Sequence, residues 1–250
     1  MNPSGNGTRL RFPFSTARRA GTFVLLLLVL ATSGCVYLRL LEIKNQLREF
    51  NSNFDTIGDK DLLIQFKKPV LLARDISYLI GAEPLSITLR AKDITWYYEF
   101  EIIRSTPLAK PLPLDKLSLS FLLRGGKLVS LTVPENFLRF FPRQMFLETI
   151  RQASNAEVNK LRKTVHARLQ LSPETDEQLP DIKETVQLLG PPLQKTQEGR
   201  LQYYIYRYRI VDCKRDVPII AKLGFSKRGT FRRLIVLWDT STLDAEYIRS

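Results

Sequence analysis

Two glutamates and two arginines carry the most suggestive spacing in the chain. Glu99 and Glu101 lie in WYYEFEI (96–102), and Arg207 and Arg209 lie in YIYRYRI (204–210). Residues two apart on an extended strand share a face and stand about 7 Å apart, which is the separation of a carboxylate pair that divides acid and base duties. Nothing else in the sequence joins them in such a role. His166 is the single histidine, and a lone histidine without cysteines or clustered acids does not build a zinc site. It reads as an exposed residue at a helix end. No nucleophile elbow, phosphate-binding loop or dinucleotide fingerprint is written anywhere. No metal, cofactor or catalytic residue is therefore expected, and an enzyme is the reading of last resort.

The same four charges suggest contact instead. In one reading the two aromatic strands lie in a joined sheet, with Glu99 and Glu101 opposite Arg207 and Arg209. Cross-strand pairs of opposite sign contribute roughly 0.2–1 kcal/mol each and set register more than stability. In the other, preferred reading the two charged faces are separately solvated, as the polar faces of strands usually are. Either way the four residues are candidates for partner binding or for contact between the two halves of the chain.

Covalent chemistry is suggested at Cys35. Residues 1–21 contain Arg9, Arg11, Arg18 and Arg19 and no acid, an apolar run extends from Phe23 to Leu30, and Ala31-Thr32-Ser33-Gly34-Cys35 follows. This is the layout of a secretory signal, and the run is too short to span about 30 Å of hydrocarbon by itself. Small residues ending in cysteine resemble the bacterial lipobox, although Thr32 stands where leucine is usual. The resemblance implies cleavage before Cys35, diacylglycerol on its sulfur and an acyl chain on its amino group, an anchor of about 0.8 kcal/mol per buried CH₂. The alternative is an uncleaved signal anchor built on residues 22–38. Both place the body of the chain beyond the inner membrane, on the periplasmic side. Val36, rather than aspartate, favours the outer membrane over the inner by the same resemblance. Cys213 then has no partner within the chain and reads as a small buried residue beside a strand.

Composition limits the rest. Apolar residues make up 44% of the 250, enough for a core. The net charge is +13, and the part after Cys35 stays basic once the four leader arginines are removed. For an exported chain this suits anionic lipid, lipopolysaccharide or peptidoglycan; no basic arm or RNA-binding motif argues for nucleic acid.

The sequence repeats itself. DISYLIGAEP (75–84) and ETVQLLGPP (184–192) both read as amphipathic helices closed by glycine (Gly81, Gly190) and stopped by proline. Trp96, Tyr98, Phe100 and Ile102 then correspond to Tyr204, Tyr206, Tyr208 and Ile210, each set on one face of a strand. Hairpins follow at 116–133, turning at Gly125-Gly126, and at 219–238, turning at Gly229. Each copy predicts a helix packed on a three-stranded antiparallel sheet, so the expected fold class is α+β with two tandem modules.

The lipobox with Leu79-Ile80-Gly81-Ala82-Glu83-Pro84, Trp96-Tyr97-Tyr98 and Gly126-Lys127-Leu128 resembles small outer-membrane lipoproteins of the SmpA/OmlA type. That family includes the E lipoprotein of the β-barrel assembly machinery, and its fold is similar to each half of β-lactamase inhibitor proteins. Leu188-Leu189-Gly190-Pro191-Pro192, Tyr203-Tyr204 and Gly229-Thr230-Phe231 carry the likeness in the second copy. The resemblance implies a non-catalytic binding module.

Between the copies, FLRFFPRQMFLETIRQ is amphipathic with a break at Pro142, and Ser154 with Glu157 has capping-box spacing for a further helix. Phe137, Phe140, Phe141 and Phe146 read as packed between the copies, with a membrane-surface helix as the alternative. Residues 36–50 read as a helical tether that would hold the first copy roughly 20 Å clear of the bilayer. The predicted organisation is a signal peptide (1–34), an anchor and tether (35–58), a first module (59–134), a helical linker (135–165) and a second module (166–250). The predicted function is a lipid-anchored binding or scaffold protein of the envelope with a protein partner. The alternative is a carrier that shelters a lipid or other apolar ligand between the modules. The first expects the aromatic faces to be filled core, the second a continuous apolar cleft.

Overall fold

The structure, a computed structural model, describes residues 36–159, 162–213, 218–239 and 241–249. Residues 36–48 form helix α1, followed by α2 (Phe50–Asn53), β1 (Phe54–Ile57), β2 (Leu62–Phe66) and α3 (Ala73–Ile80). The middle of the chain holds β3 (Ser86–Arg90), β4 (Asp93–Ile103), β5 (Lys116–Arg124), β6 (Lys127–Val133), α4 (Glu135–Phe140) and α5 (Arg143–Gln152). Then come β7 (Glu157–Asn159), β8 (Thr164–Leu171), α6 (Pro173–Glu177), α7 (Ile182–Leu189), β9 (Gln194–Glu198), β10 (Leu201–Ile210), β11 (Ile219–Phe225), β12 (Phe231–Trp238) and β13 (Ser241–Arg249).

Among the described residues thirteen strands form one sheet, in the order β1-β2-β6-β5-β4-β10-β11-β12-β13-β8-β7, with β3 added to β4 and β9 to β10. All neighbours are antiparallel except β13 and β8. The expected pair of small modules, each a helix on three strands, is therefore not formed: the molecule is built on a single large mixed sheet. The reason lies at the join. β4 and β10 run past the ends of β3 and β9, which leaves the last residues of each with an unpaired edge. Such an edge presents unsatisfied N–H and C=O groups and seeks a partner. Here each finds the other, with Phe100 to Ile103 paired antiparallel to Ile210 to Arg207. Apolar surface crosses the same join. Ile102, at the end of β4, packs in the core of the second half, and Ile210, at the end of β10, packs in the core of the first.

The repeat survives inside the sheet as matched hydrogen bonds. The Tyr98 hydroxyl donates to the Ala82 carbonyl at 3.2 Å, and the Tyr206 hydroxyl donates to Gly190 at 3.0 Å. Leu85 N–H donates to Tyr97 and Leu193 N–H to Ile205, both at 2.8 Å. Asp75 and Glu184 each accept a backbone N–H at the start of their helices, from Leu72 and Asp181.

The helical linker expected over 135–165 is only partly helical. α4 and α5 form, but Ser154 turns its hydroxyl back to the Arg151 carbonyl at 3.0 Å, closing α5 instead of opening a new helix. The chain then enters β7 and β8, because a hairpin there completes the sheet beside β13. His166 consequently lies on β8 and not at an exposed helix end, with Nδ1 3.1 Å from Asp244 Oδ2.

The tether is corrected as well. α1 does not stand off; it lies along the body. Arg39 Nε and Nη2 each reach Asp75 at 2.5 Å. Lys44 donates to the Ala156 carbonyl at 2.9 Å and Gln46 to Lys68 at 3.1 Å. Leu40 and Ile43 pack in one core cluster and Leu47 in another. An amphipathic stripe at helical spacing is stabilised by burial, and a sheet edge with an uncovered apolar face lay within reach.

Candidate functional site

The central strands β5, β4, β10, β11 and β12 turn one face towards helices α3, α4 and α7. Alternation places Leu117 and Leu119, Phe100, Tyr206 and Tyr208, Ile219, Ala221 and Leu223, and Leu234, Val236 and Trp238 on that face. Leu79 and Ile80 of α3, Phe137 and Phe140 of α4, with Phe141 just beyond it, and Leu189 of α7 roof it. Floor and roof do not meet. They flank a cavity of about 380 Å³ above the β4–β10 join that stays partly open to solvent, a size within the range of ligand sites.

The void is kept open from both sides. Backbone ladders fix the floor strands at their spacing, so the sheet cannot rise to fill it. Above, α4 is wedged by aromatic contacts: Phe140 lies edge-on to Phe231 at 6.1 Å, and Phe141 to Tyr247 at 6.0 Å. At the other end the Trp238 indole donates to the Leu79 carbonyl at 3.1 Å, tying β12 to the last turn of α3. Gly81 closes that helix in the left-handed region (φ 76°). Ala221 decides the depth. It stands between Tyr206 and Val236 in register, and a larger side chain there would occupy the space.

The wall is apolar and uncharged. Tyr206 and Trp238 contribute rings to it while their polar atoms are satisfied by backbone carbonyls. Burial pushes the phenols of Tyr206 and Tyr208 far above their ordinary range, so both are neutral at physiological pH. Tyr208 is hemmed in by protein and yet retains accessible surface, and that surface is cavity wall. Beyond Leu114 and Tyr206 the surroundings become polar. There Arg104 pairs with Asp115, which also accepts the Leu112 N–H at 2.6 Å.

The residues singled out in the sequence fall elsewhere. Glu101 and Arg209 are register partners across the join, 2.7 Å apart, on the face opposite the cavity. Glu99 instead receives Lys116 at 2.7 Å from β5. Arg207 stands in register with Ile103 and Ile220, and no ladder position sets it against Glu99. The structure thus brings together one of the two imagined pairs. Cys213 is a free thiol packed against the first-half core. Cys35 lies outside the described residues. Phe140 and Phe141 are buried, which decides their stripe for packing over a membrane surface. Among the described residues no helix is long and apolar enough to cross a membrane.

Reading by residue type left the cavity as the alternative to filled core, because every residue lining it looks like ordinary core. One signal was available. In the aligned hairpins Leu117 of the first copy corresponds to Ala221 of the second, a small residue on an apolar face where its counterpart is large.

No family model, curated protein or solved structure matches this chain.

Proposed function

We propose that the chain is a membrane-attached binding protein of the bacterial envelope that shelters an apolar chain in the cavity above the β4–β10 join. The observation that carries this is the cavity itself. A scaffold whose aromatic faces served only as core would have them covered, whereas here apolar side chains line a cleft left partly open, and apolar surface kept in contact with water is unfavourable unless something occupies it. This one is lined almost wholly by carbon and lies between two halves of the chain, the position expected for a carrier. Attachment through an acylated Cys35 on the periplasmic side is the reading of the leader that accompanies it, with the outer membrane favoured.

The test uses the full-length protein held in amphipol, with Trp96→Phe leaving Trp238 as the only indole. Titration with 9,10-dibromostearic acid is expected to quench Trp238 saturably, because the bromines enter the space its ring lines. Ala221→Phe, which places a ring in the void, is expected to abolish that quenching while the circular dichroism spectrum is kept. Absence of quenching, or quenching that Ala221→Phe leaves unchanged, overturns the proposal.

A further inference from the structure

The way α1 is docked orients the cavity relative to the membrane. Cys35 as a lipid anchor would put residue 36 at the bilayer surface, and residues 22–38 as a signal anchor would put residue 39 there, so under either reading the chain leaves the membrane within the first turn of α1. In that turn Arg39 grips Asp75, whose side chain is fully buried, at the first turn of α3. Burial by itself would raise the Asp75 carboxyl, but hydrogen bonds from Arg39 and Leu72 and the charge of Arg39 outweigh it and hold the group below its ordinary range. The grip is therefore ionic at neutral pH. Four residues further along α3, Leu79 and Ile80 line the cavity. With about 1.5 Å of rise per helical residue, the cavity wall lies no more than roughly 20 Å from the point where the chain leaves the bilayer. A rigidly docked helix leaves no spacer to lift the body away.

Both α1 and α3 expose side chains suited to lipid. Leu38 is 64% exposed and Leu41 37% exposed on α1, and Tyr78 is 69% exposed on α3. Arg74 lies one turn from Tyr78 on the same exposed side of α3. Leucines with a tyrosine and an arginine match the depth profile of a membrane interface, where the ring sits at headgroup level and the cation meets phosphate.

We infer that the body lies on the bilayer through its α1–α3 side, and that a phospholipid acyl chain enters the cavity directly from the membrane past the last turn of α3. This rests on the cavity reading above and adds the source and route of the ligand. The Trp238–Leu79 hydrogen bond, which joins α3 to β12, borders that route.

The experiment places the full-length Trp96→Phe protein in nanodiscs of phosphatidylethanolamine and phosphatidylglycerol brominated at acyl positions 9 and 10. Trp238 is expected to lose at least half its fluorescence relative to unbrominated discs. Ala221→Phe is expected to restore most of it. Tyr78→Glu, an exposed change, is expected to weaken quenching in nanodiscs at least twofold while leaving quenching by free dibromostearate in amphipol untouched. If free dibromostearate quenches in amphipol and the brominated bilayer does not, the route from the membrane falls and the cavity reading stands. If the bilayer quenches equally in Ala221→Phe, the membrane merely lies near Trp238 and chain entry is overturned. If neither probe quenches, the cavity reading fails and takes this inference with it.

Discussion

Glu101 and Arg209 occupy the same place in the two copies of the repeat, 108 residues apart, and they sit directly opposite one another in the sheet. When two equivalent strands pair antiparallel, one position meets its own counterpart, and here it is this one. Identical charges would then oppose each other across the ladder, which is destabilising. The second copy carries arginine where the first carries glutamate, so the self-meeting position becomes an ion pair, with 2.7 Å between Nη2 and Oε2. The charge reversal between the two aromatic strands thereby specifies that they pair with each other.

Reversing Glu101 alone, Glu101→Arg, is expected to cost about 0.5–1 kcal/mol, since both side chains are part-exposed and solvent screens them. Glu101→Arg with Arg209→Glu is expected to return to within a few tenths of wild type. Urea unfolding of the four combinations measures the coupling, and strictly additive losses would show the pair contributes nothing.

The docking of α1 is expected to depend on Arg39. Arg39→Ala leaves Asp75 charged and buried without its guanidinium, a loss of about 3 kcal/mol by analogy with broken buried pairs. Because the folded-state pKa of Asp75 is lowered, its contribution is present above the unfolded value of about 3.9 and is lost as pH falls through the folded one. Unfolding free energies taken at pH 7, 5, 3 and 2 should therefore show no Asp75 component of loss between pH 7 and 5, and below that a decline in wild type that Asp75→Asn lacks.

Tyr98 and Tyr206 make the same hydrogen bond in the two copies, and Tyr98→Phe and Tyr206→Phe should each cost about 1 kcal/mol by leaving a buried carbonyl unpaired. Denaturant midpoints at constant slope give the values. A cost confined to one of them would show that the two sites differ in energy despite their matching geometry.

Gly81 and Gly190 both hold positive φ, at 76° and 77°, but Gly81 is left-handed helical (ψ 13°) while Gly190 (ψ −172°) is not, lying instead in a region essentially only glycine adopts, and their surroundings differ as well. A Cβ at Gly81 meets nothing within 4 Å, whereas at Gly190 it would lie 2.6 Å from Arg104 Nη1 and 2.8 Å from Leu112 Cδ1. Gly81→Ala is expected to cost about 1 kcal/mol in backbone strain, and Gly190→Ala about 1–3 kcal/mol more through overpacking. Thermal melts of the two variants rank them, and equal losses would mean that neither the contacts with Arg104 and Leu112 nor the glycine-only backbone of Gly190 adds a cost.

The sequence by itself determined what depends on neighbours a few residues apart. The alternation in β4 and β10, the glycines that end α3 and α7, the two hairpins and the helix over 36–48 were all legible from spacing and turn chemistry. The internal correspondence of Tyr98 with Tyr206 and of Glu101 with Arg209 was legible for the same reason. The tertiary structure decided everything that turns on which free edge or apolar face meets which. Ser154 and Glu157 carry a good helix start, yet the chain beyond them is strand, because β13 offered an unpaired edge and ladder bonds outweigh a local cap. Residues 36–48 are helical as their pattern says, but whether that helix stands or lies depended on Asp75 waiting for Arg39. Whether the aromatic faces were filled core or cleft could not be decided in one dimension, because a leucine beside a cleft and a leucine in a filled core are written with the same letter. Only the distance between floor and roof separates them, and that distance is set by contacts such as Phe140 with Phe231 and Trp238 with Leu79, between segments far apart in the chain.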